Sequence, residues 1–151
     1  MPVSNVINRF TDGQLKARAL RRIAIVLQET AEEGRFPHSR FFETLIPDTW
    51  ITVGTSTNGP GWREHVVPCA YLARECIRKF NDGAPFEEVV SLLESHLKIV
   101  NISVEERNHL DFTLGYKNRM PEEWVFGVGD PLARLHAAGI TLMETPAIIV
   151  E

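Results

Sequence analysis

Three short strand-like runs, separated by helical segments, most constrain the fold of this 151-residue chain. They cover residues 50–55, 62–67 and 97–102, and none is longer than six residues. Strands this short form only a small sheet, and the helices between them must cover its faces. We therefore predict one α+β domain over residues 1–151, with several helices around a small antiparallel sheet.

The helical segments carry start and stop signals. Gly34 ends the longest periodic segment, while Pro68 and Pro85 each open a new helix. Ser103 and Glu106 stand three residues apart after the third strand, which is the pattern of a capping box. The predicted helices cover residues 12–33, 69–81, 84–96 and 104–112.

The net charge of −4 hides an uneven distribution of charge. Residues 1–22 carry +4, and the remaining chain carries −8. Such separation can mark a surface for an anionic partner such as nucleic acid, although the same residues would also serve as the solvated face of a helix. The candidate nucleic-acid-binding residues lie on the basic N-terminal helix, at about residues 12–33, and are Lys16, Arg18, Arg21 and Arg22.

The two cysteines and the hydropathy pattern indicate a compartment. Cys69 and Cys76 lie about two helical turns apart, too far for a disulfide, so we expect reduced thiols and a cytoplasmic location. No run approaches the roughly 18 apolar residues of a membrane span, and the N-terminus lacks the apolar stretch of a signal peptide. We expect no membrane partner. The apolar residues 141–150 are typical of an edge strand or of a homodimer contact.

The candidate chemistry lies at the second and third strands. The second ends in Glu64-His65-Val66-Val67-Pro68, and the third leads into the helix capped by Ser103. This arrangement, over residues 50–112, resembles the ββα-metal core of HNH endonucleases, with residues 113–151 as a C-terminal extension. Phosphodiester hydrolysis needs a base for the attacking water and a cation against the developing charge. The resemblance implies His65 as the catalytic general base and Glu64 as the first ligand of a divalent metal, Mg²⁺ or Zn²⁺.

The helix after the third strand departs from the family pattern. Arg107 stands where the family carries a His or Asn ligand, and a guanidinium does not coordinate a cation. Asp111 falls at a second ligand position four residues on, and Asn108 or His109 would serve as a ligand if the register moves by one or two residues. Two interpretations stay open. Either these residues and Glu64 hold a metal, or Arg107 replaces the cation by bridging Glu64 and Asp111 in a site that no longer cuts.

Each of these features also has a purely structural interpretation. His65 would be a partly buried imidazole that holds the strand end through a backbone hydrogen bond. Cys69 lies one helical turn beyond His65 and would be either a nucleophile or a buried thiol that packs as a small hydrophobe. The scattered aromatic residues would stack on bases or, as is more usual, fill a core; they are Phe41, Phe42, Trp50, Trp62, Tyr116 and Trp124.

These observations favour a protein that acts in nucleic-acid transactions, either as a metal-dependent nuclease-like enzyme or as its degenerate relative. The alternative is a non-enzymatic, nuclease-derived regulator or inhibitor, of the sort that phages and mobile elements encode. Such a protein would bind a nucleic-acid-handling protein complex. Its acidic surface would mimic a phosphate backbone or dock on a basic partner.

Overall fold

Seven α-helices and one three-stranded sheet make up the part of the chain that the computed structural model describes, namely residues 7–36, 38 and 40–144. The predicted α+β class is confirmed. The elements in chain order are α1 (Asp12–Glu32), α2 (Phe41–Leu45), α3 (Asp48–Ile51), β1 (Thr52–Thr55), β2 (Trp62–His65), α4 (Cys69–Asn81), α5 (Phe86–His96), β3 (Ile99–Ile102), α6 (Val104–Asn108), a π-helical turn (His109–Thr113) and α7 (Ala133–Ala137).

Helix α1 is the longest element and packs against both α4 and α5. Its start is a capping box, in which the Thr11 side chain accepts from the backbone N–H of Gln14 and the Gln14 side chain accepts in return. One face is buried because its apolar residues recur at helical spacing. The buried residues of α1 are Ala19, Leu20, Ile23, Ala24, Leu27 and Thr30.

The sheet is mixed, so the prediction of an antiparallel sheet was wrong. Its strand order is β1-β3-β2, with β3 antiparallel to β2 and parallel to β1. The most apolar strand, β3, takes the central place, where both of its edges are paired. The helix pair α4–α5 connects β2 to β3, so β2, β3 and α6 together form a ββα unit with a helical insertion.

The strand order β1-β3-β2 requires a close crossing of two backbone segments. The link from β1 to β2 passes across the end of β3, and Gly59 lies directly against the backbone of that strand. A Cβ atom at Gly59 would lie 2.9 Å from the carbonyl oxygen of Asn101, closer than side-chain atoms approach backbone. Only glycine therefore fits at this crossing without moving β3.

Several predicted boundaries differ from the observed ones; the second and third strands, for example, are each two residues shorter than predicted. Trp50 and Ile51 belong to α3 and not to the first strand, because Pro47 and Asp48 start a helical turn there. The helix predicted over 104–112 ends at Asn108 and continues as a π-helical turn. Its capping box is confirmed, since Ser103 accepts from the N–H of Glu106 and its own N–H donates to the Glu106 carboxylate.

The segment that follows the ββα unit is part of the same core. It contributes four buried apolar side chains, from Met120, Phe126, Leu135 and Ile140. Further on, Leu142 forms an antiparallel bridge beside the end of β1, which confirms an edge-strand position for the described part of the apolar tail. Residues 145–150 of that tail lie outside the described residues. Among the helices that the structure describes, none is long and apolar enough to cross a bilayer.

Candidate functional site

A cleft of about 740 Å³ runs along β2 and between α2–α3 and α6. It contains four of the six residues that the ββα resemblance singles out, namely Glu64, His65, Arg107 and Asp111. Charged residues of both signs line it. The lining residues are Arg40, Glu43, Asp48, Pro60, Gly61, Trp62, Arg63, Glu64, His65, Pro68, Cys69, Ala70, Asn101, Arg107, Asp111, Lys117 and Asn118.

Behind the cleft lies Arg134 of α7, whose side chain is fully buried. Its Nη2 donates to Glu64 Oε1 at 2.8 Å, and its Nη1 donates to the carbonyl oxygens of His65 at 2.8 Å and Val66 at 3.2 Å. Its Nε donates to the carbonyl oxygen of Tyr116 at 2.9 Å. A buried guanidinium is stable only when its charge and its donors are matched in this way, so Arg134 fixes the end of β2.

Glu64 is held by two nitrogen donors. Besides the Arg134 contact, its second oxygen accepts from the indole N–H of Trp62 at 2.8 Å. Alternate residues of a strand share a face, which places Trp62 beside Glu64. Both carboxylate oxygens of Glu64 are therefore engaged within the protein.

Arg107 and Asp111 form a second ion pair, with Arg107 Nε 3.1 Å from Asp111 Oδ2. Because Arg107 Nε has no hydrogen-bond partner within the described residues, this contact is an ion pair and not a hydrogen bond. The Arg107 guanidinium carbon lies 4.3 Å from the ring centre of Trp62 and 5.8 Å from that of Phe112. Its two Nη groups make no hydrogen bond or ion pair within the described residues, so their donors remain available at the cleft.

Three of the four carboxylates in the cleft are paired with arginines. Asp48 lies 3.1 Å from Arg63, and the Glu64 and Asp111 pairs are described above. In the part of the chain that the structure describes, neither Arg40 nor Lys117 has an ion-pair partner. Since the paired charges cancel locally, the cleft charges left unpaired within the described residues are those of Arg40, Lys117 and the fourth carboxylate, Glu43. Their sum is +1, and Arg107 adds unused donors.

His65 lies at the same cleft with its ring half-buried. Burial lowers the pKa of its imidazole below the ordinary 6.5, although the carboxylates of Asp48, Glu64 and Glu43 raise it. The ring is therefore neutral at pH 7. No hydrogen bond to the ring forms within the described residues, so its nitrogens are free to accept or donate a proton.

The structure brings Glu64, His65, Arg107 and Asp111 to one cleft. It does not bring Asn108 and His109 there: both are exposed and neither lines it. The expected bridge by Arg107 between Glu64 and Asp111 is also not observed. Arg107 pairs with Asp111 alone. Arg134 holds Glu64, and the strand end supplies two further carbonyl acceptors for it while Tyr116 supplies a third.

This donor set does not fit a divalent cation as it stands, since each of the two carboxylates already lies against a guanidinium. Within residues 7–36, 38 and 40–144, no three His, Cys, Asp or Glu side chains converge as a metal site. We therefore derive no step through a metal, and the Mg²⁺ or Zn²⁺ site stays a prediction.

Cys69 lines the cleft but takes no part in its ion pairs, and the basic helix α1 lies outside the cleft. Burial raises the pKa of the Cys69 thiol to about 12, which keeps it protonated and favours a packing role. On α1, Arg21 pairs with Glu87 at 2.7 Å and Arg18 lies over the ring of Phe10. Lys16 is half-buried and Arg22 is exposed, and neither they nor Arg18 and Arg21 line the cleft.

Sequence reasoning missed Arg134 and the position of Trp62. Arg134 lies in a five-residue helix, too short for its periodicity to show which side is buried. Trp62 had a usable signal, because it stands two residues before Glu64 on one strand. Of the other tryptophans, Trp50 and Trp124 pack against the core as expected, whereas Trp62 is 42% exposed.

Two histidines, the buried His96 and the half-buried His65, make the fold sensitive to mild acid. Burial lowers the pKa of His96, which packs beside Trp124 and Phe126; its hydrogen bond to the Leu92 carbonyl opposes this shift. The pKa of His65 is lowered as well. The unfolded chain therefore takes up these protons first. The free energy of unfolding has its full value above pH 6.5 and decreases as the pH falls below it.

We expect His96→Phe to flatten this pH dependence, because the variant has no imidazole to protonate on unfolding. Between pH 6.5 and about pH 5.5, its free energy of unfolding should fall less than that of the wild type. Urea denaturation followed by far-UV circular dichroism across this pH range measures both slopes. His109→Gln changes an exposed histidine and is the control. Equal slopes in the wild type and His96→Phe would contradict the expectation.

Comparison of the chain with family models, curated proteins and solved structures found no match. The functional proposal therefore depends on the geometry and charge of the cleft.

Proposed function

We propose that the cleft binds nucleic acid through its phosphate groups without hydrolysing it, in an HNH-like ββα unit whose cation positions are occupied by arginines. One observation carries the proposal. The Arg107 guanidinium is positioned by Trp62 and Asp111, and its Nη donors have no partner in the described part of the chain. The residue itself lines the cleft.

An arginine in this situation suits phosphate. Its planar fork matches two phosphate oxygens, and its positive charge persists at any physiological pH. Arg40 and Lys117 add two further charges along the same cleft. Because successive nucleotides repeat the phosphate charge, several such cations in one cleft favour a polynucleotide over a single small anion.

A second function, metal-dependent phosphodiester hydrolysis, is favoured by His65. Its neutral imidazole at the cleft is in the protonation state that a general base requires. Against it stand the two arginines on Glu64 and Asp111, which occupy the acidic groups that a cation would need. Non-hydrolytic binding is therefore the better supported of the two.

One set of assays tests both functions. We expect fluorescently labelled oligonucleotides of about 20 nucleotides to bind the full chain, as measured by anisotropy. Three cleft cations predict that the logarithm of affinity falls with the logarithm of salt concentration with a slope of about 2 for single strands. Supercoiled plasmid incubated with Mg²⁺ or Mn²⁺ should stay intact.

The contrary outcomes are distinct. Nicking that depends on Mg²⁺ or Mn²⁺ and is lost in His65→Ala would establish the hydrolytic function instead. Failure of every single-stranded and duplex oligonucleotide to bind, even at low salt, would overturn nucleic-acid binding. It would leave the alternative of a regulator that docks on a nucleic-acid-handling protein complex.

A further inference from the structure

Two exposed aromatic rings lie close to the guanidinium of Arg107. Trp62 is 42% exposed and Phe112 is 68% exposed, although both are large apolar side chains. Their ring centres lie 4.3 Å and 5.8 Å from the Arg107 guanidinium carbon. The Arg107 guanidinium, the group proposed to bind phosphate, therefore has two partly solvent-exposed aromatic rings beside it.

The Trp62 ring is held in place before any ligand arrives. Its indole N–H donates to Glu64 Oε2, and Glu64 is itself held by the fully buried Arg134. Arg107 packs on the ring from the cleft side of α6. A ring oriented by a hydrogen bond and a cation–π contact loses little freedom when a ligand packs against it.

We propose that Trp62, which lines the cleft, and Phe112, which lies outside its lining but beside Arg107, stack with unpaired bases, so that this surface takes a single strand in preference to a duplex. The inference rests on the proposed function and names its substrate class. Aromatic rings stack with any base, since every base has a flat π surface. In a duplex the bases are already stacked on one another and paired, and these rings cannot reach their faces. Arg107, which lies beside both rings, is then placed for the phosphate of the same strand.

The test compares about 12 thymidine nucleotides as a single strand with the corresponding duplex, both measured with the full chain by anisotropy. We expect the single strand to bind at least about 10-fold more tightly than the duplex. Trp62→Leu and Phe112→Leu should each weaken single-strand binding by about 5- to 100-fold, the range of one lost stack. Neither should change the salt slope, because no charge is removed.

Matched variants distinguish a loss of base stacking from a loss of the folded structure. Phe36 is 63% exposed, does not line the cleft and, unlike Phe112, makes no cation–π contact with Arg107 within the described residues. Phe36→Leu is therefore the control for loss of an exposed aromatic ring. Trp62→Phe keeps an aromatic ring and should retain most of the affinity. Stacking on Trp62 should also quench the intrinsic fluorescence of the wild type, and Trp62→Phe should lose that quenching. If Trp62→Leu fails to fold, the exposed Phe112 still tests the proposal.

Equal affinity for single strand and duplex would overturn this inference, as would unchanged binding by both leucine variants, and either result would leave nucleic-acid binding itself intact. Absence of binding to any oligonucleotide would overturn the proposed function first and this inference with it. In that case the two rings would be assigned to a protein contact.

Discussion

Arg134→Met should lower the free energy of unfolding by about 3–5 kcal/mol, the largest effect that we expect from any single substitution in the chain. Methionine has a similar length but no charge and no donors. The substitution leaves the buried Glu64 carboxylate without its cation, and it leaves the carbonyl oxygens of His65, Val66 and Tyr116 without the Arg134 donors. Uncompensated buried charge accounts for most of the loss.

Urea denaturation followed by far-UV circular dichroism measures this change. Arg22→Met removes an exposed arginine from α1 and should stay within about 0.5 kcal/mol of the wild type. Adding Glu64→Gln to Arg134→Met removes the orphaned charge and should recover part of the stability. Arg134→Lys keeps one charge but not the fork that reaches four acceptors, so it should remain destabilised. A loss below about 1 kcal/mol for Arg134→Met would show that Glu64 finds other partners.

Arg107→Ala should weaken nucleic-acid binding by about 10- to 100-fold, the largest effect that we expect on function. The variant loses charge-assisted hydrogen bonds to phosphate, worth about 1.5–3 kcal/mol. It also leaves the Asp111 carboxylate uncompensated at the cleft, where it repels the strand. The salt slope should fall by about 0.7, which corresponds to one phosphate contact on a single strand.

Anisotropy titrations at several salt concentrations measure both quantities. Arg18→Ala and Arg22→Ala remove one charge each from α1, outside the cleft, and are the matched controls. Their affinities should change by less than about 3-fold, as expected for charges that act only at long range. A larger loss of affinity in these variants than in Arg107→Ala would show that the binding surface is on α1 and not in the cleft.

Local signals in the sequence predicted much of the fold. The helix over 69–81 matches α4 because Pro68 starts it and Asn81-Asp82-Gly83 ends it, and both signals are local. The capping box of Ser103 is likewise a short-range pattern. The sheet order could not be predicted in this way, since the parallel pairing of β1 with β3 depends on how the chain returns after α4 and α5.

The candidate site shows the same division. The sequence could predict that four residues lie at one place, because the resemblance joins the end of β2 to the helix after β3. They are Glu64, His65, Arg107 and Asp111. The partner of Glu64 could not be predicted, since Arg134 lies 70 residues further along the chain. Which arginine pairs with which carboxylate is decided by burial, and burial at Arg134 depends on how residues 113–144 pack.

Arg134 also determines the point during synthesis at which the end of β2 is fixed. Its contacts span 18 residues to Tyr116 and 69 to His65, so α7 must dock before the end of β2 is fixed. On a ribosome, residues 62–111 emerge well ahead of Arg134, and until it arrives the Glu64 carboxylate lacks its buried partner. The cleft is therefore complete only in protein that has been synthesised through α7, and the proposed binding of a strand is expected only from that point.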